Sequence, residues 1–158
     1  IHTTRQSVRK ILNGQAPSND SEKAVYQLKL GLDYSSNPAN EMNEGNILHL
    51  YQTVILNHLA DDQKPSAETG YRDDVVYVAD GRMDKPPVHT GISYEELPKR
   101  IRELVRFTED HGSLDDLTVA AILHFYLAYL HPWFDGNGRM ARLLHMWYLV
   151  QKGYPSAM

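Results

Sequence analysis

Twelve residues near the end of the chain, 131–142, constrain its fold more than any other stretch. They read HPWFDGNGRMAR. Pro132 disfavours the α conformation at His131, so a helix that arrives from the preceding residues should end there. Two glycines in the middle of the run permit a tight turn, and the sequence from Arg139 onward is typical of a new helix. The run therefore predicts a helix, a glycine turn and a second helix, with the imidazole at the mouth of the turn.

The polar side chains of this run predict a binding site for phosphate groups. The turn delivers backbone N–H groups to a helix N-terminus, which attracts anions. Arg139 and Arg142 are three residues apart on one helical face, so their guanidinium groups can bind successive phosphates. Asp135 is a single carboxylate beside that site, as is usual where phosphates and water supply the other ligands of Mg²⁺. Asn137 can donate to an oxyanion without adding charge, and His131 is a base at the edge of the site.

Three weaker interpretations of the same run stay open. The glycines and Ala141 also fit the dinucleotide fingerprint G-x-G-x-x-(G/A), but no strand precedes them and no acidic residue follows at the required distance. His131, Asp135 and His145 are candidate metal ligands, although their spacing matches no standard set and the chain has no cysteine. A purely structural turn would need a glycine and a cap, but neither two arginines nor a histidine.

Length and composition indicate one globular domain. The 158 residues suffice for a hydrophobic core, and 42% of them are apolar and 23% charged. The net charge of −4 without a basic run disfavours direct nucleic-acid binding by this segment, and no apolar run approaches the ~18 residues of a membrane span. The absence of cysteine fits a reducing compartment, so we expect a cytoplasmic protein. The chain begins at Ile1 rather than Met, which suggests a piece of a longer protein.

Hydrophobic periodicity predicts an all-α fold of about six helices around a buried central one. The predicted helices cover residues 3–13, 20–34, 43–60, 93–112, 115–130 and 139–152. The first two place Leu12 and Leu28 on their apolar faces. Ser93 and Glu96 form a predicted capping box for the fourth helix, although Pro98 allows a start a few residues later. The fifth helix is apolar on most sides, which predicts that it is the central one.

A short β-hairpin is predicted between the third and fourth helices. Its first strand is a β-branched run that ends before a turn at residues 80–81. This strand consists of Val75, Val76, Tyr77 and Val78. The return arm, residues 82–89, carries two prolines and should pair as an edge or irregular strand. An exposed strand edge offers unpaired N–H and C=O groups to a partner segment.

The run 131–142 resembles the Fic motif, H-x-F-x-(D/E)-G-N-G-R-x-x-R, and matches seven of its eight specified positions. The matching residues are His131, Asp135, Gly136, Asn137, Gly138, Arg139 and Arg142. Trp133 stands where the family usually has Phe, and we expect its ring to take over the packing of that Phe. The resemblance implies a single Fic-type domain over residues 1–158, with N-terminal helices in 1–40 and a helical core in 41–158 that carries a hairpin flap.

The same resemblance implies a function, which is AMP transfer from ATP to a Ser, Thr or Tyr hydroxyl of a target protein with release of pyrophosphate. It implies that His131 deprotonates the hydroxyl and that Asp135 holds Mg²⁺. The residues implied in ATP binding are Gly136, Asn137, Gly138, Arg139 and Arg142. The residues similar to the target-docking flap are Val75, Val76, Tyr77 and Val78. The Doc-like branch, which transfers phosphate, has Lys where this chain has Gly138, so AMP transfer is favoured.

Alternatives to this function are a non-catalytic nucleotide-sensing or adaptor module, and a relative that transfers another phosphate-containing group or removes AMP. An oligomer is compatible with the sequence. The first residues, 1–4, are similar to the segment that follows an inhibitory glutamate in many family members, so that glutamate is expected upstream of Ile1. Glu44 superficially resembles the inhibitory residue, but we interpret it as the start of a helix.

Overall fold

The computed structural model of this protein describes residues 4–79 and 86–154. Within these ranges the chain forms six α-helices and one two-stranded antiparallel sheet, which confirms the predicted fold class. The helices are α1 Arg5–Leu12, α2 Asp20–Ser36, α3 Glu44–Val54, α4 Leu97–Glu109, α5 Asp116–Leu130 and α6 Asn137–Gln151. No helix among the described residues is long and apolar enough to cross a membrane. The division into segments 1–40 and 41–158 stays a prediction.

Local capping explains where four of the helices begin. In each case a side-chain oxygen accepts a hydrogen bond from the backbone N–H three residues later, which satisfies a group that the helix itself leaves unpaired. The capping residues are Thr4 for α1, Asn19 for α2, Asn43 for α3 and Asp115 for α5. These starts follow the sequence closely because the capping interaction is local.

One predicted helix boundary and one predicted cap are wrong. The third helix was expected to continue to residue 60, but α3 ends at Val54 and the chain continues in 3₁₀ turns. Thr53, Val54 and Ile55 are consecutive β-branched residues with weak helix propensity, which explains an end at this place. The predicted capping box also does not form, because Ser93 makes no side-chain cap and a 3₁₀ turn, Tyr94–Glu96, precedes α4.

The fifth helix was predicted to be the central one, but α6 is the more deeply buried helix of the core. One helix face of α5 is buried, while Phe125 on its other side is 68% exposed. Both helices pack against two others, α5 against α4 and α6, and α6 against α5 and α2, but α6 buries more of its residues. Its buried residues are Asn137, Met140, Ala141, Leu143, Leu144, Trp147, Tyr148 and Leu149. The apolar composition of α5 therefore overstated its burial, because composition does not report which faces have partners.

The inner face of α2 includes small residues that the apolar pattern did not indicate, beside the predicted Leu32. Gly31 and Ser35 are buried, whereas Leu28 is exposed. A Cβ atom at Gly31 would lie only 2.5 Å from the Cγ2 of Val54, so α2 and α3 approach each other closely at this glycine. Leu12 of α1, also expected inside, is 54% exposed. The predicted apolar faces of these two helices are therefore wrong at these positions.

The hairpin exists, but its regular pairing is shorter than predicted. Strand β1 is Tyr77–Val78 and strand β2 is His89–Thr90, with Tyr77 opposite Thr90 and Val78 opposite His89. The backbone N–H of Gly91 also donates to the carbonyl of Val76 at 3.0 Å. The predicted turn at 80–81 and the first part of the return arm lie outside the described residues, as do residues 1–3.

Candidate active site

His131 lies immediately after the last residue of α5 and turns the chain away from the helix. Its backbone is left-handed, with φ 51° and ψ 60°, and it is the one non-glycine residue with positive φ among those described. Its Nδ1 lies 3.1 Å from the carbonyl oxygen of Ala128. A carbonyl can only accept, so Nδ1 carries the hydrogen and the neutral ring keeps its lone pair on Nε2. That lone pair can take a proton from a bound hydroxyl.

The surroundings of His131 favour its neutral form. Burial lowers the pKa of its imidazole, and electrostatic interactions with the neighbouring His89 and Arg72 also act to lower it. The hydrogen bond to Ala128 acts in the opposite direction, but its effect on the pKa is smaller than that of burial. A histidine with a pKa below its usual 6.5 is unprotonated at neutral pH, as a general base must be.

Trp133 anchors the turn in the core. Its side chain is buried and stacks on Tyr51, with 4.1 Å between the ring centroids and 8° between the planes. The indole N–H donates to the carbonyl of Gly70 at 2.9 Å. Tyr51 in turn donates its hydroxyl to the carbonyl of Asp135 at 3.2 Å. Trp133 therefore packs inside the core, as we expected for the ring at this position.

Asn137 closes the turn from within. Its side chain is 4% exposed, its Oδ1 accepts from the backbone N–H of Trp133 at 3.1 Å, and its Nδ2 donates to the carbonyl of the same residue at 2.7 Å. The carboxamide is thus engaged inside the turn rather than free to donate to an oxyanion, as the sequence had suggested. The group that Asn137 can offer to an anion is its backbone N–H.

Gly136 sets the direction in which α6 begins. Its φ is +87°, a conformation that favours glycine. An added Cβ would also lie only 2.8 Å from the Cγ2 of Ile55, so there is no room for a side chain at this position. The helix starts at Asn137, two residues before the predicted start, and its first intrahelical bond joins the N–H of Met140 to the carbonyl of Gly136. The N–H groups of residues 137–139 therefore have no acceptor within the helix, and N–H groups of this kind are suited to binding an anion.

These residues meet in one open pocket of about 310 Å³. Its lining is His131, Phe134, Asp135, Gly136, Asn137, Gly138, Arg139 and Arg142. Every predicted residue of the run is present, and Phe134 is an addition that the motif did not indicate. A Cβ at Gly138 would have Arg142 Nη1 at 3.6 Å as its nearest neighbour, so this side of the pocket is open.

The two charged groups at the pocket floor interact with each other. Arg139 Nη2 lies 3.0 Å from Asp135 Oδ2, and Asp135 Oδ1 accepts the backbone N–H of Gly136 at 2.6 Å. Both side chains remain partly exposed, so phosphate and cation can reach them. Arg142, one turn further along α6, is exposed as well. The pocket therefore combines a carboxylate with two guanidinium groups and a helix N-terminus.

The alternative metal set does not assemble. His145 is absent from the pocket lining, its Nδ1 lies 3.0 Å from the carbonyl of Ala120, and its ring packs against His124. Among the described residues, no group of three or more His, Asp or Glu side chains is arranged to hold a metal ion. A cation in this pocket would therefore depend on Asp135 together with ligands from a bound phosphate compound.

The predicted flap residues lie outside the pocket lining. They are Val75, Val76, Tyr77 and Val78, and Tyr77 is 64% exposed. The structure links this hairpin to the pocket through Arg72, whose Nε donates to the carbonyl of His131 at 2.7 Å. Sequence reasoning did not indicate this role of Arg72, and it also missed the supporting roles of Tyr51 and Ile55. None of these carries a sequence signal, because their partners are distant in the chain.

Comparison with known proteins agrees with this geometry. The model of the Fic/DOC family matches residues 41–149. The chain is 35% identical over 81 residues to the protein adenylyltransferase fic-1 of Caenorhabditis elegans, which is 48% of this chain and 16% of that protein. It is 29% identical over 155 residues to the protein adenylyltransferase Fic of Drosophila ananassae, which is 96% of this chain and 29% of that protein. The chain thus spans less than a third of either curated relative.

Solved structures share the fold. A Fic family protein from Desulfovibrio desulfuricans G20 superposes with a TM-score of 0.74 at 21% identity, over 98% of this chain and 45% of that one. A Fic domain-containing signaling protein from Bacteroides thetaiotaomicron gives 0.73 at 28% identity, over 97% and 58% respectively. With the family model covering most of the sequence and the motif residues gathered in one pocket, the chain belongs to the Fic/DOC family.

Proposed function

We propose that this protein transfers AMP from ATP to a Ser, Thr or Tyr hydroxyl of a target protein and releases pyrophosphate. The observation that carries the proposal is the pocket itself, in which a neutral histidine with a free Nε2 faces a helix N-terminus and two arginines. Relatives named protein adenylyltransferase support the same reaction. In such a transfer, positioning and neutralisation of phosphate charge supply most of the rate.

The proposed reaction needs one base. His131 Nε2 accepts the proton of the target hydroxyl, and the hydroxyl oxygen then attacks the α-phosphorus of ATP. The bond between the α-phosphorus and the oxygen that bridges to the β-phosphate breaks, so pyrophosphate leaves with that oxygen. The N–H groups of residues 137–139, together with Arg139 and Arg142, would bind the phosphates during the transfer. The imidazolium then returns its proton to solvent.

The donor set in the pocket fits Mg²⁺ as a cofactor. Asp135 is one partly exposed carboxylate, and each of its oxygens retains a lone pair beyond the hydrogen bond that it already accepts. Magnesium characteristically uses one or two carboxylates together with phosphates and water. Bound there with ATP, the ion would neutralise phosphate charge. Arg139 would then exchange its ion pair with Asp135 for a phosphate oxygen.

Gly138 and the hairpin support the choice of AMP and of a protein acceptor. The open space at Gly138 leaves room for the tail of ATP, whereas the Doc-like lysine would fill it. His89 of β2 donates from its Nε2 to the carbonyl of Tyr129 at 2.7 Å, and Tyr129 is two residues before His131 in the chain. A target segment that pairs with residues 75–78 would therefore lie beside the pocket.

Label transfer tests the proposal. The full-length protein, with the inhibitory glutamate expected upstream of Ile1 replaced in wild type and variants alike, is incubated with a cell lysate and with ATP labelled at either the α or the γ phosphate, and protein-bound label is measured. We expect label from the α position alone, and a loss of about 10²- to 10⁴-fold in His131→Ala. His49→Ala is the matched control, because His49 is exposed on α3 and away from the pocket. Equal labelling by wild type and His131→Ala would contradict the mechanism.

The second candidate is a nucleotide-sensing or adaptor module that binds without chemistry. It would bind an ATP analogue but incorporate label from neither position. Label from the γ position alone would instead indicate phosphate transfer. The orientation of His131 argues for chemistry, since nucleotide binding alone does not require a base with a free lone pair beside the phosphates.

A further inference from the structure

Arg72 is a buried cation whose only hydrogen-bond partners in the described structure are carbonyl oxygens. The residue is 1% exposed, and its guanidinium donates to four carbonyls. They belong to His131 at 2.7 Å, Asp74 at 2.7 Å, Leu130 at 3.5 Å and Ile92. Its backbone N–H also donates to the carbonyl of Pro132 at 2.9 Å. An arginine this deeply buried usually has a carboxylate partner. Because Arg72 binds carbonyls instead, its burial points to a role in holding those carbonyls in place.

We infer that Arg72 is a positioning residue for His131. Its guanidinium holds the histidine in the left-handed conformation that presents the ring to the pocket, and it ties this conformation to both arms of the hairpin. Two of the four carbonyls, those of Leu130 and His131, end α5, and the other two, those of Asp74 and Ile92, lie before β1 and after β2. The consequence for catalysis rests on the proposed function, whereas the positioning does not.

The helix end explains why such an anchor is needed. The last carbonyls of an α-helix lack partners within the helix, and a cation there is favoured by the helix dipole. His131 takes a left-handed conformation, which is strained for a residue with a Cβ atom. Such a conformation persists only when surrounding contacts hold it. The rigid fork of arginine supplies two of these contacts from one side chain.

The hairpin is built closely around the same group. A Cβ added at Gly91 would lie 2.8 Å from Arg72 Nη2 and 2.7 Å from a methyl group of Val76. The arms of the hairpin therefore approach each other only because residue 91 has no side chain. Any shift of the hairpin at this point moves the guanidinium, and with it the carbonyl of His131.

The charge of Arg72 gives a readout that a purely structural role would not produce. Burial is the largest cause of the lowered pKa of the His131 imidazole. Electrostatic interactions with His89 of the hairpin and with Arg72 also act to lower that pKa. The other charged groups that share the pocket with this ring come from the turn and α6, and they are Asp135, Arg139 and Arg142. Loss of the guanidinium charge alone should therefore raise the pKa of His131 and leave those groups in place.

Three variants and one control test the inference. Arg72→Met removes the charge and the donors, Arg72→Lys keeps the charge without the fork, and Gly91→Ala crowds the unchanged arginine. Arg102→Met is the control, since Arg102 is an exposed arginine of α4 that pairs with Glu44. The His131 imidazole is titrated by NMR in each folded variant, a measurement that needs no turnover. The rate of AMP transfer is measured separately.

We expect Arg72→Met to raise the pKa of His131 towards 6.5, and Arg72→Lys and Gly91→Ala to displace its ring signals. In all three, kcat should fall about 10- to 100-fold with little change in the KM for ATP, because a misplaced base weakens the chemical step rather than binding. Arg102→Met should match wild type. If Arg72→Met does not fold, the other two variants decide.

Unchanged His131 signals in the Arg72 and Gly91 variants would overturn the inference. Absence of AMP transfer by the wild type would instead refute the proposed function, while the NMR titration would still report on Arg72. The two failures are therefore distinguishable.

Discussion

Replacing Gly136 by alanine is expected to destabilise the protein through two separable effects. The residue has φ +87°, a conformation that costs a residue with a Cβ about 1 to 2 kcal/mol. The new Cβ would also lie 2.8, 2.9 and 3.0 Å from three side-chain atoms of Ile55, which is itself fully buried. Overpacking of this kind typically costs about 1 to 3 kcal/mol. Together they predict a loss of about 2 to 5 kcal/mol in the free energy of unfolding.

Two other glycines provide matched controls. Gly14 has φ +85° with nothing within 4 Å of an added Cβ, so Gly14→Ala should show the backbone cost alone, about 1 to 2 kcal/mol. Gly138 lies in the first turn of α6 with its nearest neighbour at 3.6 Å, so Gly138→Ala should be neutral or stabilising by up to about 1 kcal/mol. The difference between Gly136→Ala and Gly14→Ala then measures the contact with Ile55.

Urea unfolding followed by tryptophan fluorescence suits this comparison, because Trp133 and Trp147 are both buried. In a thermal unfolding experiment on a protein of this size, each kcal/mol lost from the free energy of unfolding should lower Tm by about 2 to 4 °C. A Gly136→Ala protein as stable as wild type would refute the argument from φ. If Gly136→Ala and Gly14→Ala lost the same stability, the contact with Ile55 would carry no cost.

Three further outcomes are expected. Trp133→Phe should keep the stack on Tyr51 but leave the carbonyl of Gly70 without its donor, lowering the unfolding free energy by about 1 to 3 kcal/mol in urea titrations. Asn137→Asp should cost about 2 to 4 kcal/mol by the same measurement, since a carboxylate oxygen would face the carbonyl of Trp133, whereas Asn57→Asp, at an exposed position after α3, should change little. Burial lowers the pKa of both His131 and His124, so the unfolded chain binds more protons below pH 6.5. Stability should therefore be flat above about pH 6.5 and fall below it, less steeply in His124→Gln, and a pH-independent free energy of unfolding would contradict this.

The site was predictable to the extent that its interactions are local. His131 and Arg142 belong to one short run, and the turn between their two helices follows from a proline and glycines nearby. The role of the Asn137 side chain was not predictable in the same way. Its amide can serve either an anion or the turn, and only the position of the Trp133 backbone decides for the turn.

Helix faces show the same division. The start of α2 at Asp20 follows from the Asn19 cap, because donor and acceptor are three residues apart. The buried face of that helix does not follow, since Gly31 is inside only because Val54 of α3 approaches it closely. Hydrophobic periodicity identifies large apolar side chains, and it has no means of recognising a close contact that requires their absence.

By itself the sequence determined the helical fold class, the order of the elements and the twelve-residue run that forms the pocket. These depend on propensity, capping and turn residues, which act over a few positions along the chain. The tertiary structure alone decided that α6 is the more deeply buried helix of the core, that Ile55 lies beneath Gly136, and that Arg72 joins the hairpin to His131. These contacts join residues far apart in the chain, and their energies depend on burial and distance, which no local pattern encodes.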